Sequence, residues 1–271
     1  VSVNLAPIAQ QVQSKAQSLR QALHEVFLAD CSIQKQPRSY EAGLKDPAQR
    51  PHWLNGDAEE HKRVTDFKAF VSVPYSSAEA SGEYIGHVIR VIRIKEVAAK
   101  GVVVEREYKV RWAYDESRDP NDDGAEHFAG VLRTQTSRLL NLKACRLKRR
   151  VIRGDLVSAF LHIVADKPFY TRFPKGHPDE FKNGVRQAMK WTKLLYGKGT
   201  ASRGLWHDFA ATLMSLGFLQ QREVDMCLFI HPTRDIDFGL YVDDLEASAS
   251  DEQLEWLMKM IQQRYEVKWL G

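Results

Sequence analysis

Gly239-Leu240-Tyr241-Val242-Asp243-Asp244-Leu245 decides how the rest of the chain is read. Apolar residues climb to Tyr241, break on two adjacent carboxylates and resume at Leu245. The pattern predicts two strands that meet in a hairpin, with Asp243 and Asp244 at its tip. Two carboxylates on a rigid turn suit a hard divalent cation, which takes oxygen ligands and keeps waters that a phosphate can share. Asp is also a common turn residue, because its side chain bonds the local backbone. Taken alone, the pair fits an ordinary turn as well.

The chain has 271 residues, 44% of them hydrophobic, enough for a large core in one domain or two lobes. Lys and Arg number 39 against 35 Asp and Glu, a net charge of +4 that does not by itself diagnose nucleic-acid binding. Cys31, Cys145 and Cys227 lie far apart and are odd in number, so neither a disulfide framework nor a zinc spacing is visible and a reducing compartment is expected. No apolar run approaches the roughly 18 residues of a membrane-crossing helix, and no membrane partner is expected. The N-terminus lacks a signal-peptide pattern, and the chain reads as a segment of something longer that stops just after a helix.

In residues 1–30, Val12, Ala16, Leu19, Leu23 and Val26 fall at helical spacing. After a Pro-rich connector, Trp53 to Phe70 reads as a helix with Glu59, Glu60, Lys62 and Arg63 on a charged face. Residues 84–112 read as a long hairpin turning at Ala98-Ala99-Lys100-Gly101. Period 2 puts Glu107, Lys109 and Arg111 on one face, opposite Tyr108, Val110 and Trp112, while Arg93 and Lys95 share a face on the other strand. Such a hairpin can hold triphosphate or nucleic-acid backbone, or be a solvated sheet face. Residues 115–124 read as a solvated acidic loop, lacking the ordered spacing of a calcium loop.

Thr134 to Arg149 reads as a helix with Leu139, Leu140, Leu142 and Leu147 inside and its cations, Lys143 and Arg149 among them, outside. A strand over Val151–Gly154 then delivers Asp155 and runs into an apolar, helix-like stretch through Leu161. Residues 197–203 read as a loop that lacks the spacing of a phosphate-binding loop. A helix over Leu205–Leu216, closed by Gly217, a strand over Cys227–His231 and a final helix over Asp251–Arg264 complete the expected elements.

Together these pieces resemble the reverse transcriptase of copia-type long-terminal-repeat retrotransposons. Asp155-Leu-Val-Ser-Ala-Phe-Leu161 is similar to that family's Asp-Val-Lys-Thr-Ala-Phe-Leu. Phe169-Tyr-Thr-Arg-Phe-Pro-Lys-Gly176 resembles Val-Tyr-Met-x-x-Pro-x-Gly, and Leu195-Tyr196-Gly197 with Ala201 and Arg203 resembles Leu-Tyr-Gly-Leu-Lys-Gln-Ala-Pro-Arg. Asp225-Met-Cys-Leu-Phe229 resembles Asp-x-Cys-Leu-Phe, Tyr241-Val-Asp-Asp244 matches the family's tip, and Val267-Lys268 with Leu270-Gly271 resembles Met-Lys-Asp-Leu-Gly. Order and spacing agree over about residues 40–271. Three departures accompany the matches: His162-Ile163 stands for Asn-Gly, Lys198-Gly-Thr-Ala-Ser202 for Leu-Lys-Gln-Ala-Pro, and Glu246 takes a usually apolar place.

The resemblance implies an α+β right-hand polymerase fragment, with fingers and an antiparallel palm sheet packed on helices, the thumb being absent. Residues 1–39 would be a leader helix and linker, 40–150 the fingers and start of the palm, and 151–271 the palm with its catalytic carboxylates. It implies Asp155, Asp243 and Asp244 as catalytic, metal-binding acids, the first two bridging and Asp244 more peripheral. Two Mg²⁺ ions, with Mn²⁺ as an alternative, would clamp the attacking and leaving oxygens of a phosphoryl transfer. Phe160 would be the ring that rejects a ribose 2′-OH, or plain core. Tyr241, Lys95, Lys109 and Arg111 would meet substrate. The partners implied are an RNA or DNA template-primer, dNTP, and the thumb, RNase H and integrase of a Pol polyprotein. Its place would be a cytoplasmic virus-like particle, or the nucleus. Two rivals stand beside this reading: a degenerate, inactive nucleic-acid-binding module, and an unrelated α+β domain whose acids are turns and caps.

Overall fold

The computed structural model describes residues 36–99, 102–120 and 128–270. The leader helix expected in residues 1–30 and the centre of the Ala98–Gly101 turn lie outside them. In chain order the elements are α1 (Tyr40–Gly43), α2 (Arg50–Asp66), β1 (Phe70–Pro74), α3 (Tyr75–Ala80), β2 (Ile85–Ala99), β3 (Val102–Tyr114), α4 (Thr134–Leu147), β4 (Arg150–Leu156), β5 (Val164–Arg172) and β6 (Phe181–Lys182). There follow β7 (Val185–Lys193), α5 (Thr200–Ser215), β8 (Leu219–Gln220), β9 (Leu228–His231), β10 (Ile236–Tyr241), β11 (Asp244–Ala249), α6 (Asp251–Gln262) and β12 (Val267–Leu270). They build a mixed α/β structure with two sheets, ordered β1-β7-β5-β2-β3, with β6 on β7, and β12-β4-β11-β10-β9-β8. The second is antiparallel throughout. Among the described residues, no helix is long and apolar enough to cross a membrane.

Period 2 sorts the second sheet into two unlike faces. Ile236, Phe238, Leu240, Leu245, Ala247, Ala249, Ile152 and Leu156 are buried on one face. Leu205, Phe209 and Leu213 of α5 and Leu254, Leu257 and Ile261 of α6 close the same core. The other face carries Asp237, Gly239, Tyr241, Asp244, Glu246, Arg153 and Asp155. Helix α4 covers part of it. A Cβ on Gly239 would lie 2.6 Å from a Leu132 methyl, so the Leu132 side chain packs directly over this glycine.

Helix α4 departs from the expected leucine stripe. It buries Thr136, Leu140 and Ala144, four residues apart, and leaves Leu139 62%, Leu142 65% and Leu147 47% exposed. The face beneath it is polar, so polar side chains do the docking. Ser137 donates to Glu246 at 2.7 Å and Asn141 also donates to it. Lys143 and Arg149, expected outside, turn to the buried Asp237, at 2.7 Å and 3.7 Å. This accounts for Glu246 in a usually apolar place: it is the acceptor for α4.

Helix α2 ends at Asp66 rather than reaching Phe70, because Lys68 turns left-handed (φ 50°) and the Ala69 amide bonds back to Val64. Its buried stripe is Trp53, Gly56, Asp57, Glu60 and Val64. Glu60 is therefore not on a charged outer face. It accepts from the Trp112 amide at 3.2 Å and pairs with Arg63, and burial raises its carboxyl above the usual range. Asp57 accepts from Trp112 Nε1 and from Arg90 Nε, both at 2.8 Å. Arg90 in turn lies over the Tyr40 ring and donates to the Lys175 carbonyl.

The acidic loop is less solvated than its composition suggests. Glu116 and Asp119 hold Lys198 at 3.1 and 3.6 Å, and the Tyr114 hydroxyl donates to Asp119 at 2.5 Å. Residues 121–124 of that loop lie outside the described segments. Residues 200–203, read as loop, open α5, with Gly199 before them. Ala159–His162 is one short 3-10 turn, not the start of a longer helix. Past α6 the chain forms a strand, β12, paired with β4, where the sequence reading ended just after a helix.

The side chains of Asp57 and Arg90 are 11% and 6% exposed, so removing one leaves the other charge uncompensated in the interior. Asp57→Ala should cost about 3–5 kcal/mol, the usual penalty for breaking a buried pair from one side. Denaturant unfolding of both proteins measures it, and a cost under 1 kcal/mol would show that water reaches Arg90.

Candidate active site

The three acids come from two neighbouring strands and the turn that leads into one of them. In β10–β11, Tyr241 pairs with Asp244, leaving Val242 and Asp243 as a two-residue turn. Val242 has φ 55°, a left-handed value that a β-branched side chain resists. Strand β4 lies against β11 so that Asp155 is directly opposite Asp244, and the Leu156 amide donates to the Asp243 carbonyl at 2.9 Å. Directly opposite residues in an antiparallel pair point the same way, with Cβ atoms about 4.5–5.5 Å apart. Asp155 and Asp243 are half-buried and Asp244 is exposed.

This crowding leaves an electrostatic mark. Burial, then the charges of Asp243 and Asp155, raises the Asp244 carboxyl above its ordinary value. Three oxygen-only groups in mutual repulsion fit a hard divalent cation, which supplies the missing positive charge. Their oxygens do not all lie within 4.8 Å of one another; among the described residues, His61, His177 and Asp179 form the group that does.

Around the acids, the remaining expected residues separate by distance. Tyr241 is half-exposed beside Asp244, and both line a cleft of about 350 Å³ with Ser137, Arg153, Glu246 and Leu270. Phe160 is 8% exposed and packs edge-on against Tyr196, with ring centres 4.7 Å apart. Arg111 lies over the Tyr196 ring, 4.7 Å from its centre. Burial raises the Tyr196 hydroxyl, the Arg111 charge opposes the shift and the Asp243 charge adds to it, while Tyr196 and Val242 of the acid turn pack against the core cluster that holds Phe160. Lys109 is two residues farther along β3 and pairs with Glu107 at 3.1 Å. Lys95 is exposed, opposite Glu107, and so about 14 Å along the strand from Arg111 at the usual rise per residue.

The chain matches the family model described as reverse transcriptase (RNA-dependent DNA polymerase) over residues 88–271, more than half its length. It belongs to that family. No curated protein matches it. Reverse transcriptase domains bind template-primer and nucleotides and generally use divalent metal ions, which agrees with the carboxylate set above.

Two residues of this reverse transcriptase domain escaped the sequence reading as site residues. Tyr196 was visible only as part of a motif; its signal is the Gly197 that follows, at φ 81°, where any Cβ would strike the Tyr114 carbonyl. Lys268 is directly opposite Asp155 on β12, a pairing that depends on a strand the sequence did not announce.

A carboxyl raised in the folded state costs stability once it ionises. The penalty is absent below the ordinary carboxylate pKa and fully present above the raised one. Without added divalent cation, Asp244→Asn should therefore raise the melting temperature at neutral pH, and the gain should vanish as pH falls through the carboxylate range. Thermal scans across pH on both proteins measure this. A gain that persists at low pH would mean that packing, not charge, is relieved.

Proposed function

We propose that the chain is the fingers and palm of a copia-type reverse transcriptase, carrying out RNA-directed DNA synthesis within a Pol polyprotein. The observation that carries this reading is the cross-strand pairing of Asp155 with Asp244 beside a turn that holds Asp243. In this reading residues 151–271 are the palm, residues 40–150 the fingers and the start of the palm, and residues 1–39 a leader. Its place is a cytoplasmic virus-like particle.

Asp155, Asp243 and Asp244 hold the divalent cations, two Mg²⁺ ions in this reading. When bound, those ions supply the positive charge that an in-line phosphoryl transfer between a primer 3′-OH and a dNTP requires. The chain's own residues then do the positioning. Arg111, stacked on Tyr196, offers a guanidinium to the triphosphate from the finger side. Tyr196 backs Phe160, and in this reading the Phe160 ring is the one that an added 2′-OH would meet. Tyr241, half-exposed on the acid face, supports the primer end. Lys109 and Lys95, farther out and balanced by Glu107, meet template or triphosphate backbone.

Incorporation of dNTP on a primed RNA template tests the acids. Asp155→Asn and Asp243→Asn should each lower kcat by a factor on the order of 10³ with an unchanged circular-dichroism spectrum, because each removes charge from a site that works by charge compensation. Near-wild-type synthesis by either variant would remove that residue from the site. Template-primer binding without any incorporation by the unsubstituted chain would favour the binding-module reading instead.

The gate has its own test. Phe160→Val should raise the rNTP-to-dNTP ratio of kcat/KM by at least ~10-fold, since steric rejection is lost while no hydrogen bond changes. An unchanged ratio in an active, folded variant would return Phe160 to the core.

A further inference from the structure

His61, His177 and Asp179 lie away from the acids, on α2 and on the turn between β5 and β6, and their ligand atoms all fall within 4.8 Å of one another. His61 Nε2 is 3.4 Å from Asp179 Oδ2, and His177 Nδ1 is 3.9 Å from the same oxygen. The two imidazoles meet edge to face at 4.5 Å. Ligands about 2.0–2.1 Å from a tetrahedral zinc lie about 3.3 Å apart. One edge of that tetrahedron is thus already formed, and a second needs about half an ångström of closure. Asp179, 55% exposed, is free to supply it.

The surroundings favour a metal over a simple ion pair. Trp112 forms a wall for both rings, 5.4 Å from His61 and stacked, and 5.2 Å from His177 and edge-on. Phe173 stacks on His177 from another side at 5.3 Å. These contacts fix both ring planes before any ligand arrives. The Asp179 amide donates to His177 Nδ1 at 3.2 Å, so that nitrogen presents a lone pair, which a cation would take in place of this bond. Two imidazoles and one carboxylate form the borderline donor set that zinc-type cations select over Mg²⁺.

We propose that His61 Nε2, His177 Nδ1 and Asp179 form a zinc-type cation site, separate from the acid tip, with a fourth position open to solvent. A cation held there ties α2 to the β5–β6 turn. Through Trp112 it also bears on Asp57 and Arg90, which anchor the base of the β2–β3 hairpin.

The test uses the full chain and Zn²⁺ in competition with a chromophoric chelator, with Co²⁺ as a spectroscopic stand-in. The variants are His61→Gln and Asp179→Asn, at positions outside the core, and Asp155→Asn at the acid tip. With Mg²⁺ in excess to occupy the acid tip, the expected result is one chelator-resistant Zn²⁺ per chain, with affinity at least ~10-fold weaker in each of the first two variants and unchanged in Asp155→Asn. Co²⁺ should give the intense visible bands of a tetrahedral site, lost in the same two variants. No stoichiometric binding, a loss confined to one of the two variants, or an equal loss in Asp155→Asn would each overturn the proposal.

Discussion

Two carboxylates face each other across a pair of hydrogen-bonded strands, and most of the second sheet exists to keep them there. The Asp155–Asp244 pairing is unfavourable by itself, since like charges directly opposite destabilise a ladder. What holds the register is the other face. A slip of one residue would send Ile152, Leu245 and Ala247 to the polar side and the acids into the α5–α6 core. The apolar face therefore fixes the position of the polar one. Lys268, opposite Asp155 from the other neighbouring strand, and Arg153, 3.8 Å from Glu246, add positive charge to that face.

A second constraint joins the segment between β7 and α5 to the β2–β3 hairpin. The Tyr114 amide bonds the Tyr196 carbonyl at 2.6 Å, and Gly197 passes so close to Tyr114 that no side chain would fit. Lys198 then reaches across to Glu116 and Asp119 and lies over the Tyr114 ring. The long hairpin consequently has a fixed base, and Arg111, three residues before Tyr114, is held against Tyr196.

The strands were legible because their signals are local. Alternation marked β2 and β3, and an apolar run broken by acids marked β10 and β11. The metal reading of those acids needed context that no single turn supplies, and only the match of several motifs in order provided it. Helix α4 was misread because hydrophobicity stood in for burial: its partner surface is polar, so Ser137, Asn141 and Lys143 face inward while Leu139 and Leu142 do not. Glu60 failed for a related reason. A buried acid with a backbone N–H and an Arg for partners looks, in sequence, like any surface Glu. The clustering of His61 with His177 and Asp179 was invisible because more than a hundred residues separate them.

Val242 gives the acid tip an unusual standing under random mutation. A β-branched side chain at positive φ costs on the order of 1–3 kcal/mol, a cost that Gly would not carry. Replacement by Gly would thus make the folded chain easier to form while letting the Asp243 peptide sample other orientations. A screen that rewards stability alone would select that change. Copies of this gene released from selection for activity could drift toward sturdier proteins whose turn no longer holds Asp243 in one orientation.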